Sequence, residues 1–261
     1  MYVFFDIDNT LVSHVGGSHV PESTLKALKL LRRAGHTPVI ATGRPYFLTQ
    51  LLADYLKIKY LVCANGAELI INKRRISKKF IPPEFIKDFY EVAKKFPNET
   101  ILTDGEYFYT NGDFVGAENY FNSQAGYECV KELNHDEHIK RALICYLMLK
   151  PENLNPEHGI FDNPPHGVKV EPMHHFIEAR NPTTSKWSGI QLLTHKMKAK
   201  LSDVVTFGDG VNDIEMIKNA KIGVAVGKSE SVRAVADYVV DDIDDGGILK
   251  ACYDLDLIRD N

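Results

Sequence analysis

The sequence predicts an α/β protein: a parallel-sheet core built from two halves of the chain, interrupted by an inserted α+β module. Three observations predict it. Short apolar runs rich in β-branched and aromatic residues alternate with amphipathic, helix-length stretches in the first third of the chain, and the same alternation returns from Lys186. The runs end abruptly in polar, Gly- and Asn-containing turns, as buried strands of βαβ units do. Between the two halves strands follow strands, which is the grammar of a separate α+β arrangement. The predicted boundaries are 1–80 with 183–261 for the core and 81–182 for the insert.

The elements follow in order. Tyr2–Phe5 reads as a strand, and Pro21-Glu22-Ser23-Thr24 opens a helix with Leu25, Leu28 and Leu31 on one face, closed by Gly35. Thr37–Ala41 is the next strand, Pro45 starts a helix to about Leu56, and Tyr60–Cys63 is a third strand. Glu68–Phe80 reads as a hairpin about Asn72-Lys73. In the insert, Pro82-Pro83 begins a helix to about Phe96. Strands follow at Thr100–Thr103 and Glu106–Thr110, helices around Phe114–Gln124 and near Asp136, then a strand at Ala142–Leu149. After a turn-rich stretch, Pro151–Pro165, strands lie near Val168–Glu171 and His175–Ala179. The second half of the core gives a helix at Lys186–Met197, strands at Val204–Phe207, Ile222–Val226 and Tyr238–Val240, and helices between them, one of them at Glu230–Ala236.

Composition narrows the function. The 261 residues, 44% hydrophobic and 25% charged, are enough to bury a sizeable core. A net charge of −4, from 31 basic and 35 acidic residues, gives no electrostatic footprint for nucleic acid. No apolar run approaches the ~18 residues of a membrane span, and the N-terminus does not read as a signal peptide. Cys63, Cys129, Cys145 and Cys252 are scattered without a C-x-x-C pair and read as reduced thiols of a cytoplasmic protein. Nothing in the sequence specifies an oligomeric state.

Four strand ends carry polar chemistry: Asp6/Asp8, Thr42/Gly43/Arg44, Asn65/Gly66 and Asp209/Asn212/Asp213, with Lys186 opening the helix before the last. The Asp6–Asp8 pair alone fits turn capping equally well. In a parallel sheet, however, all such ends lie on one edge, where ligands bind. Carboxylates there form a hard oxygen site suited to Mg²⁺. Thr42 and the backbone N–H groups near Gly43 can cradle phosphate oxygens, and Lys186 is a point charge for the same anion. Positioning and charge neutralisation are what phosphoryl transfer asks for.

Asp6-Ile7-Asp8-Asn9-Thr10, Thr42-Gly43-Arg44, Lys186 and Gly208-Asp209-Gly210-Val211-Asn212-Asp213 together resemble the four ordered motifs of the haloacid dehalogenase (HAD) superfamily. The insert and Asn65-Gly66-Ala67 resemble its Cof-like branch with a class IIB α/β cap. The resemblance covers essentially the whole chain and implies a Rossmann-like core. It implies Asp6 as nucleophile and Mg²⁺ ligand. Asp8 is implied as general acid and base with its carbonyl on the metal, and a neighbouring carboxylate is expected to raise its pKa toward the range an acid needs. It implies Asp209 as a further metal ligand. Thr42, Gly43, Lys186 and Asn212 would bind the substrate phosphate, with Asp213 and Arg44 in support. The cap would open for substrate and close before transfer. Relatives carry glycine where this chain has Asn9, a residue that tolerates the left-handed turn.

The expected activity is Mg²⁺-dependent hydrolysis of small phosphorylated metabolites, sugar phosphates above all, through an aspartyl-phosphate. Alternatives are a phosphomutase or phosphotransferase of the phosphomannomutase type, and a non-enzymatic phospho-Asp switch, which the position of Lys186 and the length of the chain disfavour. Arg44 fits either a phosphate contact or an ion pair within the fold. His158, His166, His174 and His175 match no zinc spacing. Asp241–Asp245 lacks the ligand pattern of an EF-hand and fits a helix start. Trp187 and the alternating Tyr107, Phe108 and Tyr109 fit core packing.

Overall fold

A computed structural model describes residues 1–93, 99–110, 121–122, 125–148, 168–172 and 176–259. The chain divides into two compact units. One comprises Met1–Arg44, Gln50–Ile76 and Ser185–Asn261, the other Pro45–Thr49 and Ser77–Thr184.

The sheet of the first unit contains β1 (Tyr2–Phe5), β2 (Thr37–Ala41), β3 (Tyr60–Cys63), β4 (Glu68–Ile71) and β5 (Arg74–Lys78) from the first half of the chain. The second half adds β12 (Val204–Gly208), β13 (Ile222–Val226) and β14 (Tyr238–Val240). Their order is β14-β13-β12-β1-β2-β3-β4-β5. The six strands from β14 to β3 are parallel, and β4 runs antiparallel to β3. Val3, Phe4 and Phe5 of β1 are fully buried, which is why these strands read as unbroken apolar runs. Phe5 pairs in register with Phe207 on one side and Ile40 on the other, and the Phe5 and Phe207 rings stack at 4.8 Å. The chain leaves β1 for β2 on one side and returns later to β12 on the other. The strand order therefore reverses at β1, and ligands collect at such a switch point, beyond the carboxyl ends of the strands.

The helix Lys186–Lys196 is held against the turn after β3. At its start Ser185 Oγ accepts from Ser188 N at 3.0 Å and Ser188 Oγ accepts from Ser185 N at 2.9 Å, a reciprocal cap of the kind that fixes a helix start. The approach requires glycine on both sides. A Cβ on Gly189 would lie 2.4 Å from Val62 Cγ1, and one on Gly66, whose φ is +88°, would lie 2.2 Å from the Ser185 carbonyl oxygen. This crossing sets the position of Lys186, the first residue of the helix. Trp187 beside it is buried in the core cluster with Phe4, Val62 and Ile190.

The second unit carries β6 (Glu99–Thr103), β7 (Phe108–Thr110), β8 (Val130–Glu132), β9 (Ile144–Met148), β10 (Lys169–Pro172) and β11 (Phe176–Arg180), in the order β10-β11-β9-β6-β7-β8. All neighbours are antiparallel except β7 and β8. The helix Pro83–Ala93 buries Phe85, Ile86 and Phe89 against Leu102, Tyr109 and Ala179. Together the units give the α/β class expected, with an α+β insert.

Three elements differ from the sequence expectation, the first through a local side-chain contact. The strand expected at Glu106–Thr110 starts only at Phe108, because Asp104 Oδ1 accepts from Glu106 N at 2.9 Å and Tyr107 N at 3.2 Å and turns the chain. Tyr107 is accordingly only half-buried, with Lys131 Nζ 3.2 Å from its ring centroid, while Phe108 and Tyr109 are buried. The helix expected to reach Ala236 ends at Arg233. The strand Val130–Glu132 was not expected at all; three residues carry too little period to read. The predicted helix at Phe114–Gln124 lies outside the described residues apart from Phe121 and Asn122. The Pro151–Pro165 stretch and His158, His166, His174 and His175 lie outside them too.

If the Gly66–Gly189 crossing is as tight as these contacts indicate, Gly189→Val overpacks it. We expect a loss of about 1–3 kcal/mol in urea unfolding; an unchanged midpoint would show that the crossing has room.

Candidate active site

Asp6 follows β1 directly, and its backbone N–H continues the ladder to the Phe207 carbonyl at 3.0 Å. Asp6 is 7% exposed, and its carboxylate meets Lys186 Nζ at 2.7 Å. Lys186 is 1% exposed and makes a second contact, 2.6 Å, to Asp213 Oδ1. Asp213, fully buried, accepts on its other oxygen from Asp209 N at 3.0 Å and Gly210 N at 2.9 Å. It therefore fixes both the lysine and the turn after β12. Gly208 makes the space, since a Cβ there would lie 2.5 Å from Asp213 Cγ. Asp209 accepts from Thr10 Oγ1 at 2.9 Å on one oxygen and from Asn9 Nδ2 at 3.4 Å on the other. Asn9 takes the left-handed conformation, φ +53°.

Carboxylate oxygens of Asp6, Asp209 and Asp213 lie within 4.8 Å of one another. Fully ionised, three carboxylates against one ammonium would carry two negative charges. Burial pushes Asp6 up to about 8, and Asp213 and Asp209 add to the shift against the pull of Lys186. Burial and Asp213 push Asp209 up to about 6. Burial alone would lower the Lys186 ammonium, but Asp213 and Asp6 outweigh it and hold the group above the ordinary lysine range. Such a cluster of hard oxygens fits a small divalent cation, whose charge would offset that of the ionised carboxylates. Asp213 already meets three donors, so Asp6 and Asp209 are the carboxylates best free to ligate.

Asp8 differs from the expectation. Burial raises its carboxyl, but Arg44 and then His14 outweigh burial and hold it below the usual carboxylate value. Arg44 Nε donates to Oδ2 at 2.9 Å and Arg44 Nη2 to Oδ1 at 2.5 Å, while His14 Nε2 lies 2.8 Å from Oδ1. The carboxylate crowding expected to raise Asp8 falls on Asp6 instead, because Asp8 lies past the strand end and its side chain pairs with cationic and N–H donors. Arg44 makes the ion pair that was one of its two readings.

Thr42 is buried, and its Oγ1 accepts from Arg44 N at 3.1 Å, which leaves the hydroxyl hydrogen for another acceptor. Asn65 N donates to the Thr42 carbonyl at 3.1 Å, and Asn65 Oδ1 accepts from Asn212 Nδ2 at 3.1 Å. A Cβ on Gly43 would sit 3.3 Å from Asn65 Nδ2 and 3.6 Å from Asn212 Nδ2. Thr42, Gly43 and Asn212 thus converge through Asn65. Ala64, Asn65 and Gly66 all have positive φ, a run of strained backbone of the kind found at functional sites. Sequence reasoning gave no role to Thr10, His14 or the Asn65 side chain. Thr10 and Asn65 lay inside motifs already singled out; His14 carried no signal.

Buried carboxylates paired with a charged lysine at the switch point of a parallel sheet fit a phosphoryl-transfer class of site. The chain matches the haloacid dehalogenase-like hydrolase family over residues 3–252 and belongs to it. It is 26% identical over 261 residues to YkrA of Bacillus subtilis (strain 168), covering 98% of both chains. It is 25% identical to the 5-amino-6-(5-phospho-D-ribitylamino)uracil phosphatase YcsE of the same organism, covering 95% of this chain and 93% of that one. Among solved structures, the HAD subclass IIB sugar phosphatase BT4131 matches at 28% identity and TM-score 0.85, over 98% of this chain and 99% of that chain. The HAD phosphatase BT1666 of Bacteroides thetaiotaomicron matches at 27% and 0.83, over 98% and 95%. Among the described residues no helix is long and apolar enough to cross a membrane.

The network separates two kinds of carboxylate. Asp213→Ala strips partners from a buried ammonium and two N–H groups and should cost about 3–5 kcal/mol. Asp6→Asn removes a group from a crowded negative cluster and should stay within about 1 kcal/mol of wild type. Guanidinium unfolding of both variants measures the contrast; equal losses would contradict it.

Proposed function

We propose that this protein is a Mg²⁺-dependent phosphatase of small phosphorylated metabolites, working through an aspartyl-phosphate on Asp6. The observation that carries the reading is the buried Asp6–Lys186–Asp213 chain with Asp209 beside it. It presents one carboxylate, Asp6, whose raised carboxyl a bound cation would favour ionising at neutral pH.

Asp6 and Asp209 would hold Mg²⁺ through their carboxylates and Asp8 through its carbonyl. When bound, the ion would neutralise charge on the phosphoryl oxygens and keep Asp6 ionised. Lys186, the Thr42 hydroxyl, the Gly43 N–H and the Asn212 amide would hold the transferring group. An Asp6 oxygen attacks phosphorus, the ester P–O bond breaks, and the leaving oxygen takes a proton from Asp8. Asp8 then takes a proton from water, whose oxygen attacks phosphorus and returns the Asp6 carboxylate. Sugar phosphates are the favoured class. The relatives support this, since BT4131 is named a sugar phosphatase and the YcsE substrate carries its phosphate on a ribityl chain. Both names describe a phosphate on a polyhydroxylated skeleton.

Asp6→Asn should reduce hydrolysis of p-nitrophenyl phosphate and of a sugar phosphate panel at least about a thousandfold, given the scale of losses for essential nucleophiles. Near-wild-type turnover in a folded Asp6→Asn protein would refute the mechanism. Isomerised sugar phosphate without free phosphate would point to a mutase.

The raised carboxyls give a signed pH dependence. Asp6, at about 8, and Asp209, at about 6, keep protons in the metal-free fold that the unfolded chain has already lost. These two groups therefore make the metal-free protein less stable as pH rises from near 4 toward 8. A cation must displace the protons, so Mg²⁺ affinity should rise with pH up to about 8, with about one proton released per ion near pH 7. Calorimetric titration in two buffers of different ionisation heat reads the number; none released would show that Asp6 is already ionised.

A further inference from the structure

A loop beside the site forms a short two-stranded tip with a pinned base. Ser13 and His19 exchange backbone hydrogen bonds, Ser13 N to the His19 carbonyl at 2.8 Å and His19 N to the Ser13 carbonyl at 3.0 Å. Ser13 Oγ donates to Asp244 Oδ2 at 2.7 Å, which ties the base to the loop before the helix Gly247–Asp254. This contact also accounts for one acid of the Asp241–Asp245 run. Between the pinned residues the chain turns at Gly16 and Gly17, both with positive φ. His14 opens the tip and Ser18 closes it, with Ser18 Oγ 2.9 Å from His14 Nδ1.

Both nitrogens of His14 are thus engaged. The Asp8 carboxylate can only accept, so His14 Nε2 carries a hydrogen and donates it. In the neutral ring Nδ1 then accepts from the Ser18 hydroxyl, which fixes the tautomer and the ring plane. The effect on Asp8 is specific. A carboxylate oxygen has two lone-pair sites. Oδ1 takes two N–H donors, from Arg44 and His14, while Oδ2 takes one, from Arg44. A free acceptor site therefore remains on Oδ2.

We propose that His14, held by Ser18, is a positioning residue that saturates Asp8 Oδ1 and so makes Oδ2 the oxygen that takes the proton from the hydrolytic water. The proposal rests on the aspartyl-phosphate reading above and deepens its second half. In that step Oδ2 gains the water proton, the water oxygen bonds to phosphorus, and the phosphorus–Asp6 oxygen bond breaks with its electron pair returning to Asp6. An isolated half-exposed His–Asp contact would be worth little; a ring fixed at both nitrogens, on a tip pinned at its base, holds the carboxylate plane.

Stopped-flow release of p-nitrophenolate from p-nitrophenyl phosphate with Mg²⁺ separates the two half-reactions, because the first yields the coloured product and a slowed second one leaves a burst larger than that of wild type. His14→Ala should slow steady-state turnover about tenfold, a fraction of what a general base contributes, and should show a burst close to one product per site, with phosphate left on the quenched protein. His14→Gln, whose amide nitrogen reaches the place of Nε2, should restore turnover and shrink the burst. Ser18→Ala, which leaves the ring untied, should fall between. Wild-type behaviour of His14→Ala would overturn the proposal, and so would a loss without a burst or one that His14→Gln does not repair. Asp8→Asn tests the reading beneath. If it retains phosphate and His14→Ala does not, only the His14 role fails; if neither retains phosphate, the intermediate fails and the His14 role with it.

Discussion

The contact on which the site depends is the double ion pair of Lys186. An ammonium this deeply buried is affordable only where carboxylates surround it, and the two it meets come from opposite halves of the chain, Asp6 after β1 and Asp213 beyond β12. Much of the local sequence serves that meeting. Glycines at 66 and 189 let the helix that carries the lysine close on the sheet, and Gly208 lets Asp213 fold under the turn that presents Asp209. The parallel register of β1 with β12 brings the two strand ends level. Fully ionised, the cluster would carry two excess negative charges, and the raised carboxyls of Asp6 and Asp209 are the consequence.

The parallel core was legible because strands buried on both faces leave an unbroken apolar signature, and the polar residues that end them must share one edge. Asp6, Thr42, Lys186 and Asp209 could be placed together on that ground before any coordinates. The surroundings of Asp8 could not. They depend on Arg44, thirty-six residues on, and on His14, whose six-residue separation from Asp8 matches no helical or strand period. The Asn65–Asn212 amide pair spans 147 positions and needs the tertiary fold to exist. In the insert, the late start of β7 came from a side-chain acceptor, Asp104, competing with the ladder, a contest that propensity does not resolve.

Asp6 and Asp8 stand two residues apart and their carboxyls shift in opposite directions, which suits the separate tasks proposed for them. Pairs of carboxyls driven apart by their surroundings are how one site holds two roles. Asp6 lies where burial and like charge raise its carboxyl, so on the proposed mechanism a bound cation would supply the charge that keeps it ionised for attack on a phosphoryl group. Asp8 lies where Arg44 and His14 stabilise the anion, so its resting state is that of a base. The acid half of the cycle then asks Asp8 to hold a proton against those donors. In the proposed cycle a phosphate dianion entering beside Arg44 would compete for the same guanidinium, and weakening the Arg44–Asp8 pair would raise Asp8 at the moment a proton is needed. The ion pair that holds Asp8 low at rest is therefore also the interaction through which substrate charge can reach it.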